Sequence, residues 1–443
     1  MLGLRGEVTR EQFEAVREGL HPETGEFLRP RHSADRIDAN GSEQSKGRSL
    51  YDLTFSAPKS ISIQALVGGD ERLIAAHDNA VREALAEAEN YAAARVRLNG
   101  ANEDRATANW IVAAYRHDTS RELDPQLHTH AVTANLTYDG VEGRWKALQA
   151  SGLYERRAYL TEVYRNALAR EVYSLEYEIE QRRDSKGRDH GFEIHGVSDG
   201  LLEKYTVRSA RRDAAIERFT VDHGRKPTNN EVAVLVRESR ADKLAEISTE
   251  KLRKQQQARL LPEESHALNH LHEESVDRTG EISIEPTQAS ESLQRTKEHL
   301  FERSSVVREH ELMTEALRHG RGKIDRLQLR GALELEQLQG SLIRAGNNLA
   351  TRESLEREQR MIAAVDSGIG RYNVWAGSPD SIHQSDCERN NCGLFIRYWI
   401  RRILPSICAE PLGPAKPLRS RKLLVAYARW PRSFGSCANA RRS

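Results

Sequence analysis

Apolar positions along the chain recur with two periods, and each period predicts a kind of element. Polar and apolar residues alternate through Leu50-Tyr51-Asp52-Leu53-Thr54-Phe55, which predicts a strand; Ser56-Ala57-Pro58 then fits a helix start. From Asp70 to Arg97, residues Leu73, Ile74, Ala76, Ala80, Val81, Ala84, Leu85 and Ala88 fall at three-four spacing. That spacing predicts one long amphipathic helix, with His77 on its surface. Trp110–Tyr115 and Leu127–Thr137 read as strands, Asp139-Gly140 as a turn, and Arg144-Trp145 as a further short strand. A short helix around Thr9–Gly19 precedes them. Leu153–Leu175 reads as helix, and Tyr177–Glu180 and Gly191–Ile194 as a hairpin. Thr228-x-x-Glu231 has the form of a capping box. The expected fold class is α+β: an antiparallel sheet packed by helices, followed by mainly helical segments from Glu291 to Asp366.

The candidate chemistry lies between the two central strands. His117, His128 and His130 fall within fourteen positions, and the last two are separated by one residue. Strand alternation sends His128 and His130 to the same face. The polar turn around Asp124-Pro125 folds their strand back on the one that His117 ends, which brings three imidazoles together. Three neutral imidazoles with open coordination positions have the pattern of a catalytic metal site. Asp52 and Thr54 share one face of their own strand, and a buried carboxylate beside a histidine fixes its tautomer.

Two phrases carry a resemblance. Arg116-His117-Asp118-Thr119-Ser120, running on to Leu127-His128-Thr129-His130, is similar to the three-histidine motif of the TrwC/TraI-type (MobF) conjugative relaxases, which are HUH single-strand endonucleases. Asp52-Leu53-Thr54-Phe55-Ser56-Ala57-Pro58-Lys59-Ser60 resembles the upstream strand of the same family. The resemblance implies metal-dependent binding of single-stranded DNA at a plasmid transfer origin and strand-specific nicking by a tyrosine. It assigns His117, His128 and His130 to the metal and Asp52 to one imidazole or to the tyrosine proton. Magnesium or manganese is the ion it implies, whereas an all-imidazole set favours zinc on softness grounds. Other conjugation proteins are further implied partners. The readings left open beside nicking are a non-catalytic DNA-binding remnant and a zinc hydrolase unrelated to DNA.

Composition narrows the picture. The chain has 443 residues, 30% of them charged, a mean hydropathy of −0.69 and a net charge of +1. It is long enough for two or three domains, and no run is apolar enough to cross a bilayer, so a cytoplasmic protein without membrane insertion is expected. Near-zero net charge means that DNA must be met by local basic faces. Arg208, Arg211, Arg212, Arg240 and Lys243 form the candidate stripe, interleaved with acidic residues. The expected division is a relaxase domain over 1–260, a polar linker over 261–286, a helical start of a helicase-like region over 287–370, and an atypical tail over 371–443. All four cysteines and three of five tryptophans lie in that tail, and no acidic residue follows Pro411, as a frameshift would produce. The sequence has no Gly-x4-Gly-Lys-[Ser/Thr] loop, so ATP is not an expected ligand. No tyrosine precedes Tyr51, which alternation turns away from Asp52. No nucleophile is assigned, and impaired nicking is expected.

Overall fold

The alternation around Asp52 and around the histidines becomes one antiparallel sheet. The structure, a computed structural model, describes residues 8–29, 48–98, 100–120, 122–238, 249–277 and 286–368, together with residues 2, 4, 36–37, 43–44 and 425–427. They belong to two compact units, Met1–Ser283 with Lys422–Ser443, and Ile284–Arg421.

In the first unit, helix α1 (Arg10–Glu18) opens on a capping box between Thr9 and Gln12 and closes at Gly19, whose φ of 78° needs a residue without Cβ. Strand β1 (Leu50–Ser56) leads into α2 (Lys59–Leu66) and α3 (Arg72–Glu89). Strands β2 (Ala93–Leu98) and β3 (Ala101–Ala106) form a hairpin. Strands β4 (Val112–Thr119) and β5 (Pro125–Ala134) carry the histidines. Strand β5 is central, antiparallel to β4 on one side and to β1 on the other, and Val425–Tyr427 pairs parallel with β4. Helix α4 (Arg157–Ser174) follows, then the hairpin β6 (Ile179–Arg183) and β7 (Asp189–Ile194). Helices α5 (Asp199–Lys204), α6 (Val207–His223), α7 (Asn229–Glu238), α8 (Thr249–Gln257) and α9 (Pro262–Asp277) complete the unit.

Burial alternates strictly along β5: Leu127, Thr129, Ala131 and Thr133 are buried, while Gln126, His128, His130 and Val132 are half-exposed. The buried face is closed by α3 and α4; His77 of α3 and Tyr164 of α4 both reach it. Leu85 and Leu127 are fully buried there, and truncating either to Ala costs about 2–5 kcal/mol. Among the described residues, Leu2, Leu4 and Val16 pack on Ala134 and Leu136 at one end of the opposite face.

Several expectations need correction. The long helix ends at Glu89, and Ala93–Leu98 is a strand. Alanine suits either period, whereas buried Ala92, Ala94 and Val96 alternate with exposed Arg95 and Arg97 in the period of a strand. His77 is fully buried rather than on the helix surface, because its two ring nitrogens are matched by two buried hydroxyls. Residues 262–277, read from their polarity as linker, form α9. A polar network holds it beside the buried Leu268: Arg72 donates to Ser275 at 2.6 Å, His272 lies 3.1 Å from Asp70, and Gln64 donates to the carbonyl of Leu268 at 3.0 Å.

The second unit is built from α10 (Pro286–Phe301), β8 (Val307–Arg308), α11 (Glu309–His319), α12 (Arg326–Leu338), β9 (Leu342–Ala345), β10 (Asn348–Thr351) and α13 (Arg352–Gly368). Its three strands run in the order β8-β10-β9. Helix, strand, two helices and a hairpin in this order make a winged helix-turn-helix arrangement. The hairpin at residues 342–351 interrupts the run from Glu291 to Asp366, which was expected to be mainly helical. Residues 371–424 and 428–443, most of the atypical tail, lie outside the described residues.

Candidate metal centre

Register assembles the site. His117 stands directly across from His128, and His130 across from both Tyr115 and Thr54. The three imidazoles therefore share the open face of the sheet, with ring centres 5.3 Å apart for His117–His128, 5.5 Å for His117–His130 and 5.2 Å for His128–His130. Imidazoles bound to one ion through N–metal bonds of about 2.0–2.1 Å have ring centres roughly 5 Å apart, so this spacing suits a shared ion. Among the described residues, no three His, Cys, Asp or Glu side chains already have their donor atoms gathered as ligands. Ring rotation, not strand movement, is what the spacing leaves to be done.

A turn and a bulge hold the geometry. Ser120 Oγ accepts from the backbone N–H groups of Glu122 and Asp124, both at 3.2 Å, and Leu123 takes the left-handed conformation at φ 62°. The register between β4 and β5 then shifts between His117 and Thr119, a bulge beside the imidazoles. Here the backbone carbonyl of Gln126 accepts from His128 Nδ1 at 3.0 Å. Both oxygens of Asp52 accept from His130 Nδ1, at 3.0 and 2.9 Å. Because carbonyl and carboxylate oxygens only accept, both Nδ1 atoms carry the proton, and the lone pair of each ring lies on Nε2. Asp52 does this from the solvent side, its side chain 39% exposed, rather than buried as expected. Burial against the sheet, then the neighbouring His128 and His130, lower the pKa of His117 to about 4, so its ring is neutral at physiological pH.

Behind the sheet, His77 Nε2 lies 2.8 Å from Thr129 Oγ1 and His77 Nδ1 lies 2.8 Å from the Tyr164 hydroxyl. Thr129 sits between the two paired histidines of β5, so this buried bond pins their strand to both helices. The hairpin tip is clamped as well. Arg259 Nη1 donates to the buried Asp124 at 3.0 Å, Gln256 donates to the Leu123 carbonyl at 2.7 Å, and Lys59 to the Pro125 carbonyl at 3.0 Å.

The basic stripe is less tightly gathered. Arg211 pairs with Glu122 of the histidine hairpin and Arg212 with its neighbour Asp213 at 2.8 Å. Arg208 lies on α6, with its side chain outside the described residues, as are Arg240 and Lys243 altogether. Sequence reasoning missed His77, whose neighbours are remote in the chain, and Gln126, which contributes a backbone carbonyl that no residue type announces.

Residues 1–261 match the family model described as TrwC relaxase. The chain belongs to the TrwC relaxase family. Among relatives of this family, the multifunctional conjugation protein TraI of Escherichia coli strain K12 is 39% identical over 217 residues, which are 47% of this chain and 11% of TraI. A second Escherichia coli TraI is 39% identical over 226 residues, 49% of this chain and 12% of that protein. The chain thus spans about a tenth of the length of the curated relatives it matches. Two solved structures of the relaxase TrwC with oriT DNA are similar. The copper-bound complex is 36% identical with a TM-score of 0.50, covering 58% of this chain and 82% of that one. The metal-bound complex is 35% identical with a TM-score of 0.50, covering 61% and 85%. The α+β expectation agrees with this likeness. No described helix is long and apolar enough to cross a membrane.

Proposed function

We propose that the relaxase unit binds single-stranded DNA of a plasmid transfer origin and holds one divalent ion at His117, His128 and His130. The observation that carries this reading is three imidazoles within 5.5 Å of one another on one sheet face, one of them oriented by both oxygens of Asp52. TrwC has been solved bound to oriT DNA and to metal, and the TrwC relaxase family model spans the strands that carry these residues. A bound ion would polarise the non-bridging oxygens of the scissile phosphate. Asp52 keeps the His130 lone pair on Nε2, and the lowered basicity of His117 keeps its nitrogen available at neutral pH. Manganese or magnesium follows from the family and zinc from the all-nitrogen donor set. Arg208, Arg211, Arg212, Arg240 and Lys243 would meet phosphates beside the site.

Family-type nicking also needs a tyrosine held in line with the phosphate. Tyr51 is turned to the far face, its hydroxyl 3.4 Å from the carbonyl of Leu148. Tyr115 shares the histidine face, but its ring stands edge-on to Phe13 at 5.8 Å. The positions of Tyr51 and Tyr115 support a second reading, in which the chain as given binds the strand without cutting it. A labelled transfer-origin oligonucleotide with manganese or magnesium, run on a denaturing gel, tests both. Retention on a native gel with no covalent adduct is the expected result. An adduct mapped to any tyrosine of this chain would overturn the non-cutting reading, and no retention at all would overturn the DNA-binding one.

A further inference from the structure

Helix α9 carries two imidazoles at the centre of its outer face. Leu268 and Ser275 are buried and His272 is engaged by Asp70, which together define the inner face. At about 100° per residue, His266 and His270 fall on the opposite side, about 40° apart, and both are exposed. Their ring centres are 6.4 Å apart and their planes 25° from parallel. Rings that share an ion stand roughly 5 Å apart, a gap that rotation about solvent-facing side-chain bonds closes. Glu274 Oε2 lies 3.7 Å from His270 Nδ1. A carboxylate on that side favours the proton on Nδ1 and leaves the Nε2 lone pair for a metal. Of the 16 residues Pro262–Asp277 none is Lys or Arg, whereas Glu263, Glu273 and Asp277 share the histidine face. Such a face repels a DNA backbone and attracts a cation.

We propose that His266 and His270 form a second metal site, one for copper(II) or nickel(II). Imidazoles one helical turn apart supply two adjacent positions of a tetragonal field, with water or a carboxylate such as Glu273 in the others. Zinc prefers a tetrahedron of three or four protein ligands and manganese prefers oxygen donors, so both are held less well by such a pair. The bound ion clips two successive turns of the helix whose inner face is held by Asp70, Arg72 and Gln64.

Copper(II) titration of the full chain carrying His128→Ala/His130→Ala, which disables the sheet site, tests the proposal. One copper ion per chain should still bind, and its electron paramagnetic resonance spectrum should show coupling to two imidazole nitrogens. Adding His266→Ala/His270→Ala should weaken this binding by about tenfold or more, since losing a ligand costs no less than losing the partner that orients it. Ala267→His/His270→Ala keeps the number of histidines but sets them at neighbouring positions, which do not face each other, and should weaken binding as much. Residues 266, 267 and 270 are exposed, so these changes leave the fold intact. Copper affinity unchanged in either variant, or a spectrum without paired imidazoles, would overturn the proposal. The sheet site is read separately, from the chain carrying only His266→Ala/His270→Ala, so the two sites can fail independently.

Discussion

Asp52 accepts from His130 Nδ1 through both of its oxygens, from a strand that joins β5 only by tertiary pairing. Seventy-eight positions separate the two residues in the chain, and the register of β1 against β5 is what joins them. Replacing this carboxylate should weaken divalent-metal binding without unfolding the sheet, because Asp52 is solvent-facing. Asp52→Asn is expected to lower affinity by about tenfold to a hundredfold in a chelator-competition titration. Affinity equal to that of the parent chain would reduce Asp52 to an ordinary surface partner.

The buried His77 predicts how stability depends on pH. Burial, then the neighbouring charges of Arg116 and His128, lower its pKa to about 3. The unfolded chain takes up this proton near pH 6.5, well before the folded one does. Stability is therefore full above about pH 6.5 and falls as pH drops toward 3, by up to about 1.4 kcal/mol per pH unit from this residue. Denaturant midpoints measured from pH 7.5 to pH 4.5 should show that decline. His77→Gln should be less stable at pH 7.5 but decline less steeply; an equal slope would mean that other groups set it.

The clamp on the hairpin tip predicts a loss of stability from removing one carboxylate. Asp124 is 1% exposed, accepting from Arg259 and from the backbone N–H of Val207, both at 3.0 Å. Asp124→Ala strands both donors and should cost about 2–3 kcal/mol, less than a fully buried pair because Arg259 reaches solvent. Urea unfolding checks this, and a change below about 0.5 kcal/mol would show that the tip does not depend on the pair.

DNA binding should be electrostatic despite the net charge of +1. Affinity for a single strand should fall linearly with salt on logarithmic axes, and Arg211→Ala/Arg212→Ala should lower the slope by about 1.4 if both meet phosphates. Fluorescence anisotropy over a salt series measures it. An unchanged slope would leave Arg211 and Arg212 as partners of Glu122 and Asp213 only.

The sheet and its histidines were legible because strand alternation is a local signal, and two residues apart means one face. His128 and His130 follow from that alone; His117 follows once the intervening turn is read. What stayed hidden was tertiary. His77 looked like a surface residue on a helical wheel because Thr129 and Tyr164, its partners, lie 52 and 87 positions away. Helix α9 looked like a linker because buried polar bonds to Asp70 and Arg72 hold it, and composition counts polar residues as exposed. The strand Ala93–Leu98 was absorbed into a helix because alanine fits either period until the flanking arginines are weighed.

His117, His128 and His130 are expected to hold one divalent ion between them. Calorimetric titration of the chain with manganese, and in parallel with zinc, tests it most directly. One ion per chain is expected, with affinity lowered by about tenfold or more in both His128→Ala and His130→Ala, since losing a ligand costs no less than losing the partner that orients it. Unchanged affinity in both variants would contradict the account.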